Sequence, residues 1–177
     1  GAPGGLGPAN RQAALRGSHI HGLAEDYLRG KPVNVNPEYA AYWQGMPRLL
    51  DYIEDLHWSE KPLRPDWRHL QTPDREYSAV WSKQNGGWAG CPDIICDVGG
   101  LHVLGDIKTS FSPYQNRFPD FGQKGAYGGW MKFNKCAQQI AAYSIALEER
   151  TGFEIDAGLI LVSTETDKQC IFIDKDQ

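Results

Sequence analysis

Residues 91–110 read CPDIICDVGGLHVLGDIKTS, and this stretch sets the expected architecture. It predicts two short strands, 93–98 and 101–109, joined by a tight turn. Gly99-Gly100 between them is a hairpin signal, because glycine accepts the positive φ that such turns need. Side chains alternate faces along a strand, so Asp106 and Lys108 share one face and Ile107 points to the other. Asp93, Ile95 and Asp97 share a face of the first strand in the same way. A hairpin of this kind brings Asp93 beside Asp106, with Lys108 one step further on.

Carboxylates held close repel each other unless a proton or a cation lies between them. Their oxygens suit magnesium or manganese. Such an ion lowers the pKa of a water and neutralises charge on a phosphoryl oxygen. A lysine beside it can orient the nucleophile or stabilise a pentavalent phosphate. An edge hairpin with solvated charges gives the same pattern, and spacing alone does not choose between the two.

The rest of the chain narrows the choice. Its 177 residues suit one domain, with ordinary globular composition at 41% hydrophobic and 23% charged. No run of about 18 apolar residues is present, so no membrane partner is expected. The net charge of −4 does not favour bulk binding to nucleic acid, which would need a local basic patch. Cys91, Cys96, Cys136 and Cys170 form no CxxC pair, which argues against a zinc site and for reduced thiols in an intracellular protein. Residues 1–10 open on GAPGGLGP and read as a flexible segment, a processing remnant or an expression scar. A single domain is expected over 11–177.

Taken in order, Ser18 is expected to cap a helix that Gly30 ends. His21 and Glu25 stand four apart on its surface. A lone helical histidine is ordinarily structural, so His21 needs further support as a ligand. Asn36-Pro37 predicts a second helix, kinked or divided at Met46-Pro47. Strands are expected over 57–63 and 76–83, with a loop at 64–72 and a turn at Asn85-Gly86-Gly87. A long helix over 131–150 follows from the spacing of Phe133, Cys136, Ile140, Tyr143 and Leu147. Strands 156–163 and 169–174 close the chain.

Segment 111–133 combines rings with cations. Phe111, Tyr114, Phe118, Phe121, Tyr127, Trp130 and Phe133 are interleaved with Arg117, Lys124 and Lys132, and Lys135 follows. Rings stack on bases and cations follow phosphates, which suits single-stranded nucleic acid. A loop folded on its own aromatic cluster is the plainer alternative. Tyr114, Arg117, Phe118, Lys124, Trp130, Lys132 and Lys135 are the candidate DNA contacts.

Gly17-x-x-x-His21, Pro92-Asp93, Asp106-Ile107-Lys108 and Gln139-x-x-x-Tyr143 occur in that order. Together they resemble the RecB-like branch of the PD-(D/E)XK nucleases. YSAVW (77–81), GDIKTS (105–110) and QQIAAYSIAL (138–147) are similar to the mitochondrial genome-maintenance exonucleases and their phage and bacterial relatives. The resemblance spans roughly residues 17 to 165. It implies an α/β fold, a restriction-endonuclease-like core with a central mixed sheet flanked by helices. It implies His21, Asp93, Asp106 and the Ile107 carbonyl as ligands of Mg²⁺ or Mn²⁺. Lys108 would be the catalytic lysine, positioned with Gln139 and Tyr143, and Glu25 would be structural or supporting.

The expected activity is exonucleolytic hydrolysis of single-stranded DNA in replication, repair or recombination, alone or with separate partner proteins. The expected setting is a bacterial or phage-infected cytoplasm ahead of a mitochondrial matrix. Some relatives hold an iron–sulfur cluster with cysteines grouped near the C-terminus; the scattered cysteines here predict none. The alternatives are a non-catalytic DNA-binding module with this fold and a structure-specific endonuclease.

Overall fold

The computed structural model describes residues 7–71, 78–84, 87–120, 122–123 and 126–174. Its strands are β1 (Leu56–Ser59), β2 (Val80–Ser82), β3 (Trp88–Gly90), β4 (Ile94–Val98), β5 (Leu101–Thr109), β6 (Ala157–Ser163) and β7 (Lys168–Asp174). Its α-helices are α1 (Pro8–Leu28), α2 (Ala40–Trp43), α3 (Met46–Leu50) and α4 (Ala126–Thr151). The hairpin closes as expected: Val98 pairs with Leu101, and Gly99 and Gly100 take φ of 60° and 78°.

Five strands form a mixed sheet in the order β1-β4-β5-β6-β7. β5 and β6 run parallel and the other neighbours antiparallel. A parallel pair needs a long crossover, and α4 supplies it. Helices flank both faces, so the hairpin's alternation is read out twice. Ile94, Cys96, Val103 and Ile107 pack with Ile20 and Leu23 of α1 and Met46 and Leu50 of α3. Ile95, Leu104, Ile160 and Val162 pack with Cys136, Ile140, Ala146 and Leu147 of α4. β6 is buried along its whole length, as expected of a central strand covered on both sides. Among the described residues, no helix is long and apolar enough to cross a membrane.

Several expectations need correction. The first helix begins at Pro8, inside the stretch read as flexible, and Ser18 lies within it rather than capping it. Proline suits a first helical turn because its missing N–H would have no partner there. The second helix is divided, as one of the two expected outcomes, into two short ones, the first preceded by a 3-10 turn at Pro37–Tyr39. They part at Gly45, whose φ of 87° breaks the run, and Pro47 sits in the first turn of α3. Residues Pro65–Leu70, read as loop, form a 3-10 helix that buries Trp67 and Leu70. β2 pairs only with β3 in a separate two-stranded sheet against α4. Of the strand read at 76–83, Ser78 makes only an isolated bridge to Gln71, and residues 76–77, like 85–86 of the turn, lie outside the described residues. α4 starts at Ala126, before the expected 131, and takes in Gly128 and Gly129. A Cβ on Gly129 would stand 3.0 Å from the Pro113 carbonyl, so that glycine lets segment 110–120 lie directly on the helix.

Candidate active site

The last pair of the β4–β5 ladder is Ile94 with Gly105. One step beyond it stand Asp93 and Asp106, as the hairpin reading expects. Asp93 Oδ2 accepts the Ile107 N–H at 2.7 Å, which ties its carboxylate to β5. Lys108 Nζ donates to Asp106 Oδ1 at 2.7 Å. Asp106 is only 3% exposed. Its Oδ2 is buried without a hydrogen bond of normal geometry, although the Cys136 thiol approaches the carboxylate. A buried oxygen left unpaired costs on the order of 1–3 kcal/mol, and more when charged.

α1 delivers His21 to the same place. Its Nε2 donates to the Ile107 carbonyl at 2.7 Å. Its Nδ1 lies 3.2 Å from Glu60 Oε1 and 3.6 Å from Asp93 Oδ1. Carbonyl and carboxylate oxygens only accept, so each contact favours a proton on the ring nitrogen that makes it. Burial opposes a charged ring, but the hydrogen bond to Glu60 and the charges of Asp93 and Glu60 outweigh it and raise the His21 pKa.

Glu60 was not foreseen. The expected strand over 57–63 stops at Ser59, because Glu60 turns left-handed with φ 57°, the single non-glycine residue described with positive φ. That conformation costs a non-glycine residue energy and persists where surroundings hold it. Here the Glu60 N–H donates to the Asp93 carbonyl at 2.9 Å and the Cys91 thiol to the Glu60 carbonyl at 3.2 Å. Glu25 acts nearby: it pairs with Arg29 at 3.1 Å, and Arg29 donates to the Ser59 carbonyl at 2.8 Å. That clamp holds α1 against the end of β1.

Charge in the site is under strain. Burial pushes Asp93 up to about 6, the Asp106 charge adds to this, and His21 holds it back. Burial alone would lower Lys108, but the charges of Asp106 and Asp93 prevail and raise its pKa, so it is an ammonium at neutral pH. Ligand atoms of His21, Glu60 and Asp93 lie within 4.8 Å of one another. The donors are one imidazole, three carboxylates and a backbone carbonyl, a hard set that suits Mg²⁺ or Mn²⁺. That set, in which the Asp106 carboxylate brings the orphaned oxygen, fits a divalent ion.

From α4, Gln139 Nε2 donates to the Tyr143 hydroxyl at 3.1 Å. Burial raises the Tyr143 pKa, and the charges of Asp106 and Asp93 add to it, which places this pair beside the acidic groups. A Cβ on Gly90 would fall 2.2 Å from the Tyr143 ring, so β3 leaves a gap for it.

The proposed DNA contacts divide. Phe118 and Tyr127 are 67% and 53% exposed, and with Trp130 they form a cluster whose rings lie 4.9–6.1 Å apart. Arg117, Lys132 and Lys135 are exposed. Tyr114 is a correction. Its ring is 7% exposed in the core under α4, and Gln169 on β7 clasps its backbone at 2.7 and 3.1 Å. A buried ring has no free face for a base. Lys124 lies outside the described residues. The chain matches no protein-family model and no curated protein.

Proposed function

We propose that this chain is a divalent-metal-dependent deoxyribonuclease of the PD-(D/E)XK type, RecB-like in its motifs, that degrades single-stranded DNA from an end. The observation that carries the reading is the Asp93–Asp106–Lys108 group, with one buried Asp106 oxygen lacking a partner and His21 brought to it by a separate helix. His21, Asp93, Asp106 and the Ile107 carbonyl would hold Mg²⁺ or Mn²⁺, with Glu60 within reach. When bound, such an ion acidifies a water and offsets charge on the phosphoryl oxygens.

The protein's own groups do the rest. To ligate such an ion through Nε2, His21 would lose to solvent the proton it now donates to the Ile107 carbonyl. Asp106 Oδ1 holds the Lys108 ammonium in place, and that ammonium donates to the attacking water or to a phosphate oxygen as negative charge develops. Gln139 and Tyr143 present an amide and a hydroxyl on the α4 side, suited to orient the same phosphate. Phe118, Tyr127 and Trp130 offer faces to unpaired bases, worth about 1–3 kcal/mol per stacked base. Arg117, Lys132 and Lys135 following three phosphates give a salt slope of about −2 for single strands.

The test uses end-labelled linear single strands, closed single-stranded circles and blunt duplex, each with Mg²⁺, Mn²⁺ or EDTA. Linear single strands should be degraded with either ion and spared by EDTA, while circles resist. Lys108→Ala should lose about two to four orders of magnitude in rate, the scale of a lost charge-stabilising group. Rapid cutting of circles would make the protein an endonuclease. DNA binding with no cleavage under any ion would make it a binding module.

A further inference from the structure

The same face of β5 that carries Asp106 and Lys108 carries His102 at its other end. Four residues separate His102 from Asp106, about 13 Å at the usual rise per residue. His102 is the ladder partner of Asp97 on β4. Asp97 Oδ1 accepts from His102 Nδ1 at 2.8 Å and from His57 Nε2 at 2.9 Å. Thus two imidazoles and a carboxylate from three strands converge on one point, with ligand atoms all within 4.8 Å.

The backbone is shaped for this convergence. β1 pairs Leu56 with Cys96 and Trp58 with Ile95, so His57 is the extra residue of a bulge. A bulge re-aims the side chain that a regular ladder would place elsewhere. The Phe153 ring walls the cluster, 5.3 Å from His57 and 4.3 Å from His102. The Trp67 ring adds to the wall beside His57 at 6.2 Å. His102 is 42% exposed on its side chain, so the cluster opens to solvent on one side.

We propose that His57, Asp97 and His102 form a second metal site, selective for a zinc-class transition ion and separate from the catalytic group. The donor set is two nitrogens and one oxygen, which prefers Zn²⁺, Co²⁺ or Ni²⁺ to Mg²⁺. Three protein ligands leave a tetrahedral ion one open position, which a water fills on the solvent side. The contacts of 2.8 and 2.9 Å now made through protons widen by only a few tenths of an ångström for nitrogen and oxygen to share an ion about 2 Å from each. The bound ion ties edge strand β1 to the β4–β5 hairpin. It is therefore a staple on the sheet that bears the catalytic residues, and it does not depend on the nuclease reading.

The test is Co²⁺ titration of the metal-free full chain, read by visible absorption, since tetrahedral cobalt absorbs far more strongly than six-coordinate cobalt. The wild type should develop the intense band at one equivalent. His21→Ala, which damages the catalytic group, should keep it. His102→Ala should lose it, with unchanged far-ultraviolet circular dichroism. His102→Cys should regain cobalt binding and add a thiolate-to-cobalt charge-transfer band. No intense band in the wild type, its survival in His102→Ala, its loss in His21→Ala, or no charge-transfer band in His102→Cys would each overturn the site.

Discussion

The two ends of the β4–β5 hairpin use the same residue types on the same face and treat them in opposite ways. At the turn end, burial works against the Asp97 charge, but hydrogen bonds from His102 and His57 outweigh it and lower its pKa. Its charge is matched. At the open end, burial drives Asp93 up to about 6 and Asp106 keeps an oxygen without a partner. There charge is confined and only partly matched by His21 and Lys108. A satisfied cluster is stable without an ion and can exchange its protons for one, whereas an unsatisfied one is strained until a cation arrives. Perturbed carboxylates in such a setting are where chemistry is to be sought.

The largest effect should come from Asp106. Asp106→Asn keeps the shape and removes the charge that holds Lys108. Metal-dependent cleavage should fall by at least about a thousandfold, comparable with losing a positioned electrostatic group. Mn²⁺ affinity measured by calorimetry should fall with it. Unchanged Mn²⁺ affinity would remove the open end from consideration as a metal centre.

Next comes the pH dependence of the metal-free protein. Asp93 binds its proton more tightly folded than unfolded, so its contribution to stability falls as pH rises from about 4 to about 6. About two pH units correspond to an upper bound near 3 kcal/mol. His21 acts in the same direction: its raised pKa gives stability fully present below about 6.5 and lost as pH climbs through the folded value. Denaturant melts in EDTA should therefore show lower stability at pH 8 than at pH 5. Asp93→Asn should flatten the part between 4 and 6, and Mn²⁺ should reverse the fall. A flat wild-type profile in EDTA would mean the open end is not strained.

Glu60→Gln should give a smaller effect. The amide keeps a contact to His21 but loses the charge, and Mn²⁺ binding should weaken by about 10- to 100-fold, as for groups that orient a ligand. Equal affinity would show that Glu60 only packs.

The smallest effect belongs to the turn end. Asp97→Asn should lower stability at pH 7 by about 1 kcal/mol, the net worth of a hydrogen-bonded charge discounted for solvent. Because the folded pKa of Asp97 is depressed, that contribution is present above about pH 4 and lost as pH falls through the folded value. The wild type and the variant should therefore converge in acid. A loss equal at all pH would mean that packing, not charge, makes the turn end stable.

The hairpin was legible because its signals are local. Two adjacent glycines allow one kind of turn, and period-two alternation then assigns each side chain a face. Asp93, Asp106 and Lys108 follow from that arithmetic. Gln139 and Tyr143 were singled out by the resemblance of Gln139-x-x-x-Tyr143 to a nuclease motif; helical spacing, four residues to about one turn, accounts only for their meeting. The α/β class with helices on both faces came from the resemblance, and residues 156–163 were readable only as a buried strand; their parallel pairing with β5 is a feature of the tertiary structure.

What lay beyond the sequence are the contacts between segments distant in the chain. Glu60 meets His21 across 39 positions, through a left-handed residue that nothing in Ser59-Glu60-Lys61-Pro62 announces. His57 turns toward Asp97 because of a bulge, whose extra residue is set by pairing and not by composition. Tyr114 carries the same ring as Phe118 four positions on, yet one is core and the other surface. The separation follows from Gln169, on a strand 55 residues later, which clasps Tyr114. Local backbone preference and side-chain alternation act over a few residues, so a sequence by itself determines them. Which carboxylate is left unpaired, and which ring is covered, depends on the energy of burying groups brought together from across the chain, and only the tertiary structure decides that.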